Sequence, residues 1–325
     1  MGTDAALAIP GYGRAMATPT ASAAERDGSP VTAAPPPGAA DVPLPPAMAA
    51  RASDLGVAKA ELDVTRTFVL AVLAGAFISL GAMFATVATA DAANLPFGIT
   101  RVVGGLVFSL GLVLVVVAGA ELFTGNNLIV MAWADRRIRL TRLLRNWGIV
   151  YLGNLVGALA TALLVFAARQ YEFGDGTVGL NALTIAETKS SLGWGQAVAL
   201  GVLCNALVCL AVWLSYAARS VTDKVLAVLF PISAFVAAGF EHSVANMYFL
   251  PVGLFVKDGG SEAFWSSTGA HPGDYTELTS GNALVNNLVP VTLGNIFGGA
   301  VMVGLVYWLI YRRQAGRPPS GRPDR

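Results

Sequence analysis

Beyond residue 66 the chain is written in long apolar blocks separated by short polar stretches. A membrane-spanning helix needs about 20 mainly apolar residues, and six blocks reach that length: 67–90, 96–134, 146–168, 196–218, 225–256 and 292–311. The second and fifth are too long for one straight span and carry polar residues near their middles, which predicts two broken helices. Ahead of the blocks, Leu44, Met48, Leu55 and Val57 recur among polar positions of residues 44–60. That pattern fits a short amphipathic helix at a membrane surface, or a linker. Nine of the 17 prolines lie in the first 50 residues, among Ala, Ser, Thr and Gly. Residues 1–43 are therefore expected to be a disordered tail, and they lack the basic start and apolar core of a signal peptide. Residues 61–312 would form a six-helix transmembrane domain, with 313–325 as a second tail.

Composition agrees with the pattern. Only 13% of the 325 residues are charged, 55% are apolar and the mean hydropathy is +0.62; a soluble protein carries about 25% charged residues. The 21 basic and 20 acidic residues leave a net charge of +1, which gives no support to a nucleic-acid partner. Two cysteines rule out a disulfide-built scaffold. Six spans put both termini on one side together with the second and fourth loops. That side holds every Lys and Arg except Arg101, Arg169, Lys189 and Lys257, so both termini are expected in the cytoplasm.

The two interrupted blocks spell nearly the same thing. Residues 118–126 read Ala-Gly-Ala-Glu-Leu-Phe-Thr-Gly-Asn and residues 238–246 read Ala-Gly-Phe-Glu-His-Ser-Val-Ala-Asn. The following spans agree too: Asn146, Gly153-Asn154 and Gly157 match Asn287, Gly294-Asn295 and Gly298. Spans 2–3 thus resemble spans 5–6. A unit of three spans is odd, so the second copy enters from the opposite face as an inverted repeat. Gly-interrupted spans at matched positions point to a central binding or permeation site. Glu121 and Glu241 at mid-membrane must face protein or water, either bracing the bundle through hydrogen bonds or lining a pore.

Other residues invite a role in that path. His242 is one of two histidines and the one within a span; it reads as a proton donor to a weak-acid anion, a switchable charge, or a silent core residue. Thr124 sits in the corresponding break, where a hydroxyl can bind a passing oxyanion or cap a helix end. Asn205 and Asn295 can donate to an anion or join helices. Phe108, Leu112, Leu122, Phe123 and Phe235 lie near the breaks, where apolar side chains narrow a pore or simply pack. Several chemistries drop out. Glu241-His242 is not part of HExxH, and His271 lacks neighbours with metal spacing. No phosphate-cradling loop ending in Gly-Lys-Ser/Thr is present, and Cys204 and Cys209 lie on different helix faces. No metal, cofactor or catalytic set is expected, so an enzyme is disfavoured. Paired Asn-Pro-Ala motifs of a water or glycerol channel are also missing.

Long segments carry a resemblance. Leu95-Pro96-Phe97-Gly98, Phe108-Ser109-Leu110-Gly111-Leu112, Glu121-Leu122-Phe123-Thr124, Gly153-Asn154-Leu155-Val156-Gly157-Ala158, Gly239-Phe240-Glu241-His242-Ser243 and Gly294-Asn295-Ile296 resemble the formate/nitrite transporter family, and within it the formate channels. The likeness spans roughly residues 43–312. It implies an all-α, aquaporin-like six-helix protomer assembled as a homopentamer in the cytoplasmic membrane, with one pore per protomer and a lipid-filled centre. It implies His242 as the central pore histidine with Thr124 as its partner, Phe108, Leu112, Leu122 and Phe235 as apolar constrictions, Asn205 and Asn295 as polar pore positions, and Lys189 as an anion-attracting lysine of the outer vestibule. Residues 44–60 match the N-terminal helix associated with pH-dependent gating. Formate is the implied substrate, passively or coupled to a proton; nitrite or hydrosulfide is the alternative. The Pro-rich extension and Gly125-Asn126-Asn127 depart from the formate-channel pattern.

Overall fold

The computed structural model describes residues 42–92 and 95–313, and among these every regular element is helical. The tails expected at 1–43 and 313–325 fall almost wholly outside the described residues. Helix α1 (Pro45–Glu61) opens on two prolines, whose missing N–H groups cost nothing in a first turn. Helix α2 (Val64–Ala88) is capped by the Asp63 carboxylate, which accepts the Arg66 N–H. The second span is α3 (Phe97–Phe108) running into α4 (Leu110–Ala118); beyond a break follow a 3-10 turn and α5 (Val130–Ala134). Then come α6 (Leu140–Ala167), α7 (Thr177–Ser190), α8 (Trp194–Ser215), α9 (Val221–Ala238), α10 (Ser243–Gly259), α11 (Glu262–Thr268) and α12 (Ser280–Tyr311). Among the described residues six helices are long and apolar enough to cross a membrane: α2, α3 with α4, α6, α8, α9 and α12.

Two spans begin six or more residues earlier than the apolar pattern predicts, α6 at residue 140 rather than 146 and α12 at 280 rather than 292. The start of α12 carries Asn282, Asn286, Asn287 and Pro290, which look like loop in a sequence. Inside the helix Asn286 donates to the Asn282 side chain one turn back, and Asn287 turns inward to a carboxylate. Two wide π-helical stretches, Ala283–Leu288 and Phe297–Leu305, accommodate the irregularity.

The repeat is longer than three spans, because each copy begins with a short helix. The buried residues of α1 are Met48, Ala49, Ala52, Ser53, Gly56 and Ala60; those of α7 are Val178, Gly179, Ala182, Leu183, Ala186 and Ser190. Each of the second set lies 130 positions after its mate. Each copy therefore consists of a short helix, a straight span, a broken span and another straight span. Within a copy the straight spans pack backbone to backbone: Gly157 of α6 lies against the Val72 carbonyl of α2, and Gly298 of α12 lies against the Val202 carbonyl of α8. A Cβ at either glycine would overlap the facing backbone, so small residues set the approach of these helices.

Candidate functional site

Both breaks are made in the same way. Helix α4 stops at Gly119 (φ +82°) and α9 at Gly239 (φ +76°), a left-handed geometry that glycine adopts without steric cost. The chain then turns inward, and its exposed backbone groups need partners at this depth. The Glu121 N–H donates to the Leu70 carbonyl at 3.2 Å, and the Glu241 N–H to the Leu200 carbonyl at 3.3 Å. Asn154 of α6 closes the first break: its amide donates to the carbonyls of Ala71 (2.7 Å) and Glu121 (3.0 Å), and its oxygen accepts the Phe123 N–H. Asn295 of α12 repeats this with Gly201 (2.8 Å), Glu241 (2.9 Å) and the Ser243 N–H.

The two carboxylates are held by matching clamps. Glu121 accepts from Lys59 Nζ at 2.6 Å and Asn126 Nδ2 at 2.7 Å; Asn126 also reaches Asn146, whose amide donates back to the Lys59 carbonyl. Glu241 accepts from Lys189 Nζ at 2.7 Å, Asn246 Nδ2 at 2.6 Å and Asn287 Nδ2 at 3.1 Å; Asn287 accepts from Asn246 and donates to the Lys189 carbonyl. Each buried charge thus has a counter-charge and amide donors, which a carboxylate needs in a poorly solvating interior. Sequence reasoning missed Lys59 as a clamp residue. The signal was the 130-residue spacing from Lys59 to Lys189, hidden because α1 looked like a surface appendage rather than the start of a repeat.

Between the breaks, Thr124 and His242 meet. Thr124 Oγ1 and His242 Nε2 are 2.8 Å apart, and both residues are buried. The other ring nitrogen, Nδ1, accepts the Ala245 N–H at 3.0 Å as the N-cap of α10. A neutral imidazole bound this way carries its hydrogen on Nε2 and donates it to Thr124, which leaves the Thr124 hydroxyl hydrogen for another acceptor. Phe235 lies against the ring, with centroids 5.9 Å apart, and Phe108 meets Phe235 edge-on at 5.6 Å. Two cavities flank this septum. One, of about 380 Å³, is walled by Phe108, His242, Lys189, Glu241 and Arg101; the other, of about 320 Å³, by Leu112, Leu122, Lys59, Glu121 and Arg51.

The remaining sequence-selected residues lie elsewhere. Phe123 packs edge-on against Trp147 and Tyr151 of α6 and borders neither cavity. Asn205 of α8 donates to the carbonyls of Asn295 (2.7 Å) and Thr124 (3.3 Å) and to the Asn127 side chain (3.0 Å). Its amide hydrogens, like those of Asn295, are taken by protein acceptors, and neither residue borders a cavity. Lys189 reaches the larger cavity but is committed to Glu241. Among the described residues no cluster of His, Cys, Asp and Glu could hold a metal ion.

Comparison with known proteins agrees with this arrangement. The family model described as "Formate/nitrite transporter" matches residues 46–309. The chain is 47% identical over 274 residues to the formate channel FocA of Escherichia coli (strain K12), covering 84% of this chain and 96% of that one. It is 44% identical over 239 residues to the formate channel FocA of Haemophilus influenzae, covering 74% and 84%. A solved structure described as a pentameric formate channel with formate bound superposes with a TM-score of 0.74 at 48% identity, over 76% of this chain and 97% of that one. With its six apolar spans and two braced breaks, the chain is an integral membrane protein and belongs to the formate/nitrite transporter family.

Proposed function

We propose that the chain carries formate across the cytoplasmic membrane, through a path within each protomer of a homopentamer. The observation that carries this reading is the Thr124–His242 pair, set between Phe108, Phe235, Leu112 and Leu122 where two polar-mouthed cavities approach each other. An apolar neck strips water from an ion and disfavours bulky solutes, while the pair offers hydrogen-bond donors that suit a small oxyanion rather than a cation. With both termini cytoplasmic, the Lys59 cavity is the cytoplasmic mouth and the Lys189 cavity the outer one. Helix α1 supplies Arg51, Ala52, Leu55, Gly56 and Lys59 to the inner mouth, so its position sets the width of that mouth and supports residues 44–60 as a gating helix.

The chemistry of the ring separates two modes of passage. As bound, the neutral imidazole has a single hydrogen, and surrendering it to formate would leave an imidazolate. Protonating the anion therefore needs a ring protonated at Nδ1 as well, which requires the Ala245 N–H to give up its acceptor. Passage of the anion past the Nε2 and hydroxyl donors needs no such rearrangement, and we favour it. Proteoliposome flux of formate, nitrite and glycerol tests the reading. Formate is expected to pass well above empty vesicles, nitrite to a lesser degree and glycerol not at all; His242→Phe should lower formate flux by a similar factor throughout about pH 5 to 8, since the favoured mode uses the ring as a neutral donor. Glycerol passing as fast as formate would overturn the proposal.

A further inference from the structure

The residue that draws an anion into the Lys189-side mouth must carry a charge that no other group has already neutralised. Lys189 does not meet that condition, since its ammonium lies 2.7 Å from Glu241. Among the described residues Glu241 is also the only carboxylate on the wall of that cavity. The remaining cation on the wall is Arg101 of α3. Its Nε donates to the Ala237 carbonyl at 2.9 Å and its Nη2 to the Val236 carbonyl at 3.0 Å, at the C-terminal end of α9. Gly239 makes room for it, because a Cβ there would come within 2.8 Å of Nη2. A helix C-terminus carries only about half a negative charge, so the guanidinium keeps a surplus of positive charge. Two of its five N–H donors are used, which leaves a fork able to hold a planar carboxylate. The neighbouring Thr100 hydroxyl belongs to the same wall and has no protein partner.

We propose that Arg101 draws the anion into this mouth and holds it briefly, as a staging site for a small carboxylate ahead of the Thr124–His242 pair. The inference rests on reading the chain as a small-anion pathway. It also gives the two mouths a common logic. The opposite cavity holds the Lys59–Glu121 pair together with Arg51 and Lys224, again more cation than carboxylate. These surplus cations do not follow the repeat: at the repeat spacings Arg51 corresponds to Asn181, Lys224 to Gly104 and Arg101 to Val221. The clamps are copied between halves, and the surplus charges are placed separately at each mouth.

The test uses the full chain in proteoliposomes, with initial formate rates measured from each side at low formate. An impermeant salt is varied from about 0.01 to 0.2 M, across which the screening length shrinks from about 30 Å to under 10 Å. For movement in through the Lys189-side mouth, the wild-type rate should fall roughly 3- to 10-fold as salt rises. Arg101→Gln should start lower by a similar factor and be nearly flat with salt, while Arg101→Lys keeps most of the wild-type slope. At saturating formate Arg101→Gln should match wild type within about twofold, since the septum is untouched. A wild-type rate and slope in Arg101→Gln would overturn the inference alone. Equal loss of saturating flux in both variants would also overturn it, reducing Arg101 to a helix cap. A wild type that passes neither formate nor nitrite would overturn the proposed function itself.

Discussion

Removing the Lys189 ammonium should strand a carboxylate inside the bundle. The Glu241 side chain is 6% exposed and the Lys189 side chain 15%, so water can do little to replace the lost partner. At 2.7 Å and an effective dielectric of about 20, the gross attraction is about 6 kcal/mol, most of it offset by the desolvation of both groups. Breaking a buried pair from one side costs about 3–5 kcal/mol, because the remaining charge stays buried. Lys189→Met should therefore lower the melting temperature of the solubilised protein by about 10 °C, taking about 2–4 °C per kcal/mol for a chain of this size. Glu241→Gln in the same protein removes the stranded charge while leaving an oxygen for Asn246 and Asn287, and the double variant should recover more than half of the loss. Lys59→Met should cost less, because the Lys59 side chain is 28% exposed. Thermal scans of the two single variants and the double, read by the native size-exclusion peak, complete the cycle. If the double variant loses the sum of the two single losses, the clamp has no coupling and this reasoning fails.

Two further outcomes follow from the frame. Gly157→Ala and Gly298→Ala each push a methyl into a facing carbonyl, of Val72 and Val202 respectively; each should cost about 1–3 kcal/mol or more and lower the folded yield to a similar extent, and a normal yield in either would contradict the close approach. Asp135, between α5 and α6, ties α1 and α12 together by accepting from Ser53 (2.6 Å), Trp308 (2.8 Å) and Arg312 (2.9 Å). Burial works to raise its carboxyl, but those hydrogen bonds and the Arg312 charge outweigh it and hold the group below the usual carboxylate value. A lowered value means that the tie is intact above the ordinary range near pH 4 and is lost only as pH falls below it. Hydrogen exchange of residues 45–61 should thus show no loosening through Asp135 between pH 5 and 8. Asp135→Asn should speed exchange there about 10-fold or more at every pH in that window, and unchanged exchange would refute the tie.

The spans and breaks were legible because membrane solvent demands long apolar runs and tolerates few polar residues, so Glu121, Glu241 and the glycines before them stood out. The early start of α12 was not. Asn282, Asn286 and Asn287 have loop character as residue types, and only their partners, Asn282 with Glu277 and Asn287 with Glu241, make them helical. Asn205 and Asn295 were legible as polar residues in apolar runs but not in what they do. An amide looks the same in a sequence whether it faces a pore or, as here, backbone carbonyls. Lys59 was hidden for a different reason. The repeat is plain among the spans, and α1 is too short and too polar to be one, although its buried positions match those of α7 residue for residue.

The symmetry of the frame and the asymmetry of the chemistry divide the molecule into two kinds of position. Glu121 with Glu241, Asn126 with Asn246, Asn154 with Asn295 and Lys59 with Lys189 repeat the lysine–carboxylate, amide–carboxylate and amide–backbone contacts, though Lys59 alone also donates to its asparagine oxygen, so these contacts brace the two broken helices. The donor pair belongs to the second kind. At the 120-residue spacing of the breaks, His242 corresponds to Leu122 and Thr124 to Val244, so each copy supplies one polar residue where the other supplies an apolar one. Both apolar mates are buried in the same hydrophobic cluster. A fully symmetric pair of histidines would put two ionisable rings in the neck, and a pair of leucines would leave an oxyanion without a donor. On the proposed path, one ring and one hydroxyl from opposite copies would give a neck that is apolar on most sides and offers donors at one point. Substitutions in the copied set should therefore register first in folded yield, and substitutions at Thr124, His242 or Arg101 first in flux.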